Sequence, residues 1–292
     1  MTVKSKHLKC LLVFSVAVCI FFSTGCNKKN NNVNSGLINK VQRIVVLSPS
    51  GAEILCTLGA QDLICARTDY CDYPSSIKNI PSIGGFSSDS VSVESIVSYK
   101  PDFVYGSKDM HDSFSVQLSA LGIPLYLSKA SSLNSVYDEI LFIAKLTGKE
   151  QKGVELVNEI KNSAELIQKK AAEEKITVYY EVWNTPFMSC GSTSFINDII
   201  NVCGGKNIFE EIETPYPVVS EESIIAKNPQ VILIPSQNGL TQKDVLSRTG
   251  WNLTDAVKNK RIYFVDSDLF SRPGPRITEA MNTLYNYLYT QK

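Results

Sequence analysis

The chain is 292 residues long, 43% hydrophobic and 20% charged, and its 29 basic residues match its 29 acidic ones for a formal net charge of zero. That balance argues against a nucleic-acid partner, which would usually want a basic face, and two histidines, His7 and His111, are too few for a multi-histidine zinc or manganese centre. The length suits one large domain or two of ordinary size.

Lys4, Lys6 and Lys9 precede an apolar run over 11–22, which is too short to span a bilayer that needs roughly 20 such residues. Ser23, Thr24, Gly25 and Cys26 follow. This resembles a bacterial lipobox, with Ser23 where leucine is more usual, so 1–25 is expected to be a signal peptide and Cys26 the site of lipidation. Residues 26–37, rich in asparagine and lysine, have too few apolar side chains to offset their ordering entropy and read as a flexible tether.

Residues 43–47 (Arg-Ile-Val-Val-Leu) predict a buried strand, followed by a turn at 48–51 and a short helix over 52–58 stopped by Gly59. Strands are also predicted at 103–105 and 125–127, with a helix over 111–121 ending at Gly122. Strands alternating with helices suggest a doubly wound unit with a mostly parallel sheet. The middle of the chain departs from this. A helix over 133–146 closes at Gly148, and a second is expected over about 150–174, with Val154, Val157, Ile160, Ala164, Ile167 and Ala171 on one face. At 1.5 Å per residue it would span roughly 36 Å, enough to brace two halves. Strand–helix alternation resumes over 177–182, with further strands at 231–234 and 261–265. The expected organisation is an N-terminal α/β lobe over 38–131, a helical segment over 132–174 and a C-terminal α/β lobe over 175–292, each lobe doubly wound and the two bridged by a single long α-helix.

The halves echo each other. Ser92, Glu94, Ser95 and Ile96 precede Pro101 and a strand at the same offsets at which Ser220, Glu222, Ser223 and Ile224 precede Pro229 and a strand. In each copy serine can cap a helix and glutamate falls in its first turn.

Aromatic and polar residues gather in the loops: Tyr70 and Tyr73 with Asp69 and Asp72, Phe86 after Gly84 and Gly85, Trp183 and Phe187, Tyr216 between prolines, then Asp268, Phe270 and Arg272 after the last strand. Open α/β sheets bind ligands beyond the carboxyl ends of their strands, where these loops would sit, and aromatic walls with few polar groups suit a large, flat, partly apolar ligand. Asp69, Asp72, Asp268 and Arg272 can hydrogen-bond a ligand, while Asp69 and Asp72 can equally close their own turns; Arg276, beside Pro-Gly-Pro, reads as structural. Catalytic signatures are missing. Ser48 has no Gly-x-Ser-x-Gly around it, His111 alone does not make a triad, and neither a Walker loop nor a dinucleotide glycine fingerprint is found. Cys56, Cys65, Cys71, Cys190 and Cys203 are an odd set whose pairing is not readable from spacing.

The segments 43–50, 72–74, 84–86, 100–102, 202–209 and 271–276, taken in order, resemble the periplasmic binding proteins for cobalamin, ferric siderophores and haem, most closely the cobalamin branch. The resemblance runs from Arg43 to the C-terminus. It implies two α/β lobes bridged by one helix, no enzymatic activity and no resident cofactor. The implied role is a monomeric, extracytoplasmic, lipid-anchored receptor that delivers a metal chelate, a corrinoid, to the dimeric permease of an ABC importer. It places ligand-binding positions on Tyr70, Phe86, Tyr216, Asp268 and Arg272, to which the loop aromatics Trp183 and Phe270 are added, and permease-docking carboxylates on Glu94 and Glu222. Phe86 and Tyr216 stand where the cobalamin receptor has tryptophans, and Tyr285 stands where it has the cysteine that would pair with Cys203. A siderophore or haem receptor, a thiol redox protein using Cys71 or Cys190, and a signalling receptor are the alternatives open on the residues alone.

Overall fold

The computed structural model describes residues 40–290; the expected signal peptide, Cys26 and the tether lie outside the described residues. The N-terminal lobe carries a four-stranded parallel sheet of β1 (Ile44–Val46), β2 (Ile64–Arg67), β3 (Phe103–Ser107) and β4 (Leu125–Ser128), in the order β2-β1-β3-β4. Helices α1 (Pro49–Thr57), α2 (Val93–Ser98) and α3 (Phe114–Ala120) connect these strands. Two helices follow, α4 (Leu133–Thr147) and α5 (Glu150–Lys170), joined at Gly148 in the left-handed conformation (φ 69°). Glycine enters that region without the Cβ penalty that other residues meet.

The second lobe contains β5 (Ile176–Tyr180), a short antiparallel hairpin of β6 (Trp183–Asn184) and β7 (Phe187–Met188), α6 (Phe195–Val202), β8 (Gly205–Asn207), α7 (Glu221–Lys227), β9 (Val231–Pro235), α8 (Gln242–Leu246), α9 (Asp255–Lys258), β10 (Ile262–Val265), α10 (Ser267–Ser271) and α11 (Ile277–Tyr289). Its parallel sheet runs β10-β9-β5-β8. Read from the other edge this is β8-β5-β9-β10, the same winding as the first lobe.

The repeat extends into the backbone. Ser92 and Ser220 each accept the N–H of the serine three residues on. Lys100 and Asn228, each just before its proline, have positive φ (48° and 43°). Two residues further, Asp102 accepts the N–H groups of Gln42 and Arg43 at the start of β1, and Gln230 accepts that of Thr177 near the start of β5. Each lobe thus anchors its first strand with a side chain from the turn ahead of its third.

Helix α5 packs on α4, α6 and α11, and α4 packs on α1, so the bridge touches elements of both lobes. One hydrophobic core runs through it, from Ile44 and Val46 in the first sheet, through Ile140 and Ile160, to Val178 and Val231 in the second. The helix ends at Lys170, four residues earlier than expected, because Ala171 turns extended (ψ 144°). Glu173 and Glu174 would set negative charge against the negative end of the helix dipole, whereas Lys169 and Lys170 close the helix favourably. Val154 also differs from expectation: it is 51% exposed, and Gly153 takes the buried position against Ala144. Helix α1 starts at Pro49, three residues early, since proline is preorganised for a first helical turn. Gly51 is then required inside it, because a Cβ there would collide with the Tyr105 ring. Helix α3 starts late because the His111 side chain is engaged with the turn that precedes it.

Candidate functional site

A cavity of about 700 Å³ opens between the lobes. Its wall is built from residues following the carboxyl ends of strands: Ser48 after β1, Lys108 and Asp109 after β3, Lys129 to Ser131 after β4, Gln237 after β9 and Asp268 after β10. Open α/β sheets bind ligands beyond the carboxyl ends of their strands, and here both sheets turn those ends toward one cavity. A larger concavity of about 1020 Å³ lies at the amino ends of the second sheet's strands, around Lys175, Gln230 and Arg261. It belongs to one lobe, whereas the first receives the loops of both.

Tyr70, Phe86, Tyr216, Asp268 and Arg272 come together around the interlobe cavity. Tyr70 and Phe86 lie at 5.9 Å between ring centroids on the first lobe's side, and Tyr216 stands on the other, 42% exposed. Two expected contacts are not brought to the wall. Phe270 is 1% exposed and stacks on Tyr180 at 6.3 Å, so it is core; it sits on the inward face of α10 while Asp268 and Ser271 face the cavity. Trp183 projects from the β6–β7 hairpin, 45% exposed, with its indole N–H donating to the Thr185 carbonyl.

Arg272 is spoken for. Its Nη1 donates to Glu53 Oε1 and to Asp72 Oδ1, both at 3.0 Å, and its Nη2 lies 2.7 Å from Asp268 Oδ2. Burial works against its charge, but the carboxylates of Glu53 and Asp72 more than offset that and hold the guanidinium protonated. Arg276 grips Glu53 with two further bonds, 2.7 and 2.8 Å, and lies over the Tyr73 ring at 4.1 Å. Glu53, 1% exposed in α1, is therefore the centre of a clasp tying the first lobe to the segment between α10 and α11. The sequence reading missed Glu53, although the one charge inside the apolar run Pro-Ser-Gly-Ala-Glu-Ile-Leu-Cys-Thr is a visible signal. Asp69 turns out to close its own loop, accepting from Ser82 Oγ at 2.5 Å.

Apart from Lys129, the rest of the wall is uncharged or self-neutralised. Seven serines (Ser48, Ser50, Ser107, Ser128, Ser131, Ser194 and Ser271) supply hydroxyls that donate or accept. Lys108 pairs with Asp109 and Asp112. Lys129 is exposed and has no ion pair among the described residues. His111, Cys71 and Cys190 do not reach the surface. Burial pushes the Cys71 thiol up to about 11 and that of Cys190 to about 12, which leaves almost no thiolate near neutrality and argues against thiol redox chemistry. All five cysteines of the described residues are free, and the Cys203 thiol donates to the Met281 carbonyl of α11.

Two parallel α/β lobes with the same winding, a bridging helix and a cavity between them define a bilobal solute-binding protein. The profile of the family described as "Periplasmic binding protein" matches residues 44–269, and this chain belongs to that family. It is similar to the Bacillus subtilis (strain 168) protein named "Uncharacterized ABC transporter substrate-binding lipoprotein YvrC", 33% identical over 257 residues, covering 85% of this chain and 80% of the relative. It is also similar to the vitamin B12-binding protein of Vibrio campbellii, 25% identical, covering 85% and 90%. Among solved structures, a possible iron-binding periplasmic solute-binding protein of Staphylococcus epidermidis superposes with a TM-score of 0.75 at 31% identity, covering 86% of this chain and 99% of that one.

Proposed function

We propose that this chain is the solute-binding component of an ABC importer, capturing cobalamin or a related corrinoid in the interlobe cavity and handing it to a dimeric permease without chemical change. The observation that carries the cargo is the charge state of the wall. Arg272 is neutralised by three carboxylates, leaving serines, Gln237 and aromatic faces, with Lys129 as the unpaired cation among the described residues of the wall. Corrinoids present a flat macrocycle for aromatic walls, a periphery of amides for hydroxyls, and one phosphodiester for one lysine. A polyanionic ferric catecholate would want several unpaired bases. The relatives named for vitamin B12 point the same way.

The docking carboxylates are Glu94 and Glu222. Each is exposed in the first turn of its capped helix. The neighbouring Glu221 is occupied by the Trp251 indole N–H at 2.6 Å, so Glu222 is the carboxylate left free in that turn of the second lobe. One carboxylate on each pseudo-equivalent helix suits a two-fold permease. The chain acts as a monomer, outside the cytoplasm, held to the membrane by lipid on Cys26 and given reach by 26–37. The similarity to a lipoprotein supports that anchoring.

Haem is the second reading. Tyr70 and Tyr216 are phenols at the cavity, and a tyrosine phenolate can ligate haem iron. Titration of the purified protein with cyanocobalamin, haemin and a panel of ferric siderophores separates these. Micromolar or tighter cyanocobalamin binding is expected. No such binding, together with tight uptake of haemin or an iron chelate, would overturn the corrinoid assignment.

A further inference from the structure

We propose that His111 is the positioning residue of the aromatic wall, a neutral imidazole carrying its proton on Nε2 and clamping the Phe86 loop to the end of β3. The hydrogen bonds dictate the tautomer. Nδ1 lies 2.9 Å from the backbone N–H of Ser107, which can only donate, so Nδ1 accepts and has no proton. Nε2 lies 2.7 Å from the Phe86 carbonyl oxygen, which can only accept, so Nε2 carries the hydrogen. The ring is fully buried. Its face lies along Phe114 (6.1 Å, 24°), and it meets the Phe86 ring edge-on (5.5 Å, 87°).

What the clamp holds is the cavity wall. Phe86 and Ser107 both line it, and Phe86 in turn sets the spacing to Tyr70. Among the described residues, one other hydrogen bond joins the two segments, from Ser88 N–H to the Met110 carbonyl at 3.3 Å. His111 thus acts through Phe86 and does not itself touch the ligand.

The arrangement fails when the imidazole gains a second proton. An N–H at Nδ1 would face the N–H of Ser107, so one bond is lost and two donors confront each other. Burial holds the His111 value below the ordinary one. The charged groups beside it are Asp112, which favours protonation, and Lys108, which is engaged with Asp112 and Asp109. A histidine whose folded value is depressed contributes stability that is complete above its unfolded value of about 6.5 and lost as pH falls below it. The wall, and with it the affinity, should loosen on acidification, by at most about tenfold per pH unit for one proton.

The link to affinity rests on the proposed role of Tyr70 and Phe86; the link to the wall does not, and the test separates them. Imidazole ¹⁵N NMR reads the tautomer without ligand, and His111→Gln assigns the signal, since His7 is the other histidine. The expected result is an Nε2–H tautomer at neutral pH whose titration below the ordinary value moves the Ser107 amide. With cyanocobalamin as the probe, wild-type affinity should fall from about pH 7.5 to 5, whereas His111→Gln should bind more weakly at neutral pH but without that dependence. In a Phe86→Ala background, His111→Gln should change affinity by less than about twofold, as coupled residues require. An Nδ1–H tautomer, an imidazole titrating at or above the ordinary value, or a Ser107 amide indifferent to it overturns the proposal. A wild type that binds no cyanocobalamin at any pH removes the cargo assignment, and the NMR measurements then decide the clamp by themselves.

Discussion

Glu139 should make the protein less stable at neutral pH than a glutamine in its place. It lies in α4, 3% exposed, with its carboxyl between the Tyr105 hydroxyl and the Ser128 hydroxyl, the latter at 2.9 Å. It has no ion pair among the described residues. Burial pushes its carboxyl up from 4.5 to about 8, so the folded protein holds a proton that the unfolded chain releases between those values. For a raised carboxyl the sign is that stability is greatest below 4.5 and declines as pH rises to about 8. At pH 7 the gap is about 2.5 units, which at 1.36 kcal/mol each is about 3 kcal/mol of stability forgone. Glu139→Gln keeps a neutral donor and acceptor at the site and removes the protonation demand. Imperfect hydrogen bonding takes back about 1 kcal/mol. Urea unfolding of both proteins from about pH 4 to 7 should therefore show the variant near or below wild type in acid, gaining on it with rising pH, to lead by about 2 kcal/mol at pH 7. A difference that is the same at every pH would refute the reasoning, because it would mean that Glu139 is equally charged in both states.

Arg272→Ala should cost about 3 kcal/mol, as breaking a buried ion pair does, and lower Tm by roughly 6–12 °C for a domain of this size; loss on the surface scale of under 1 kcal/mol would show that Arg276 satisfies Glu53 alone. Replacing Glu94 and Glu222 together by alanine should leave cargo affinity within about twofold, since neither lines the cavity, while abolishing uptake in cells; normal uptake by that variant would remove the docking assignment.

Backbone architecture was legible because local signals agreed with the fold. The apolar runs of β1, β9 and β10 lie within their sheets, and Gly59, Gly122 and Gly148 adopt positive φ at the helix ends that their positions predict. The Ser–Glu repeat was legible for the same reason, since capping chemistry is local. What escaped the sequence depends on partners far along the chain. Strand β8, Gly-Lys-Asn, has no strand propensity of its own and exists because β5 pairs with it. Glu53 meets Arg272 and Arg276 across more than 200 residues. Phe270 and Asp268 are two positions apart, yet the helical turn of α10 sends one to the core and the other to the cavity, a split that a loop would not impose. In the sequence His111 is informative only for what a lone histidine excludes. Its role rests on two backbone groups, which no side-chain pattern records.

These buried groups bear on how such a receptor can be regulated. Separating the lobes would cut through one continuous core around Ile140 and Ile160 and would strip Glu53 of its arginines, a loss of about 3–5 kcal/mol for the unpaired charge alone. Wide opening is therefore expensive, and affinity should come mainly from a wall already in place, which avoids ordering costs on binding. The same stiffness means that hinge motion is a poor lever for release. The adjustable part is the wall itself, where one imidazole with two backbone bonds, beside the single Ser88–Met110 backbone bond, ties the Phe86 loop to the end of β3. A rigid frame with a titratable clamp predicts that mild acid weakens binding by loosening the Phe86 loop while the Glu53 clasp, which uses no histidine, keeps the lobes together.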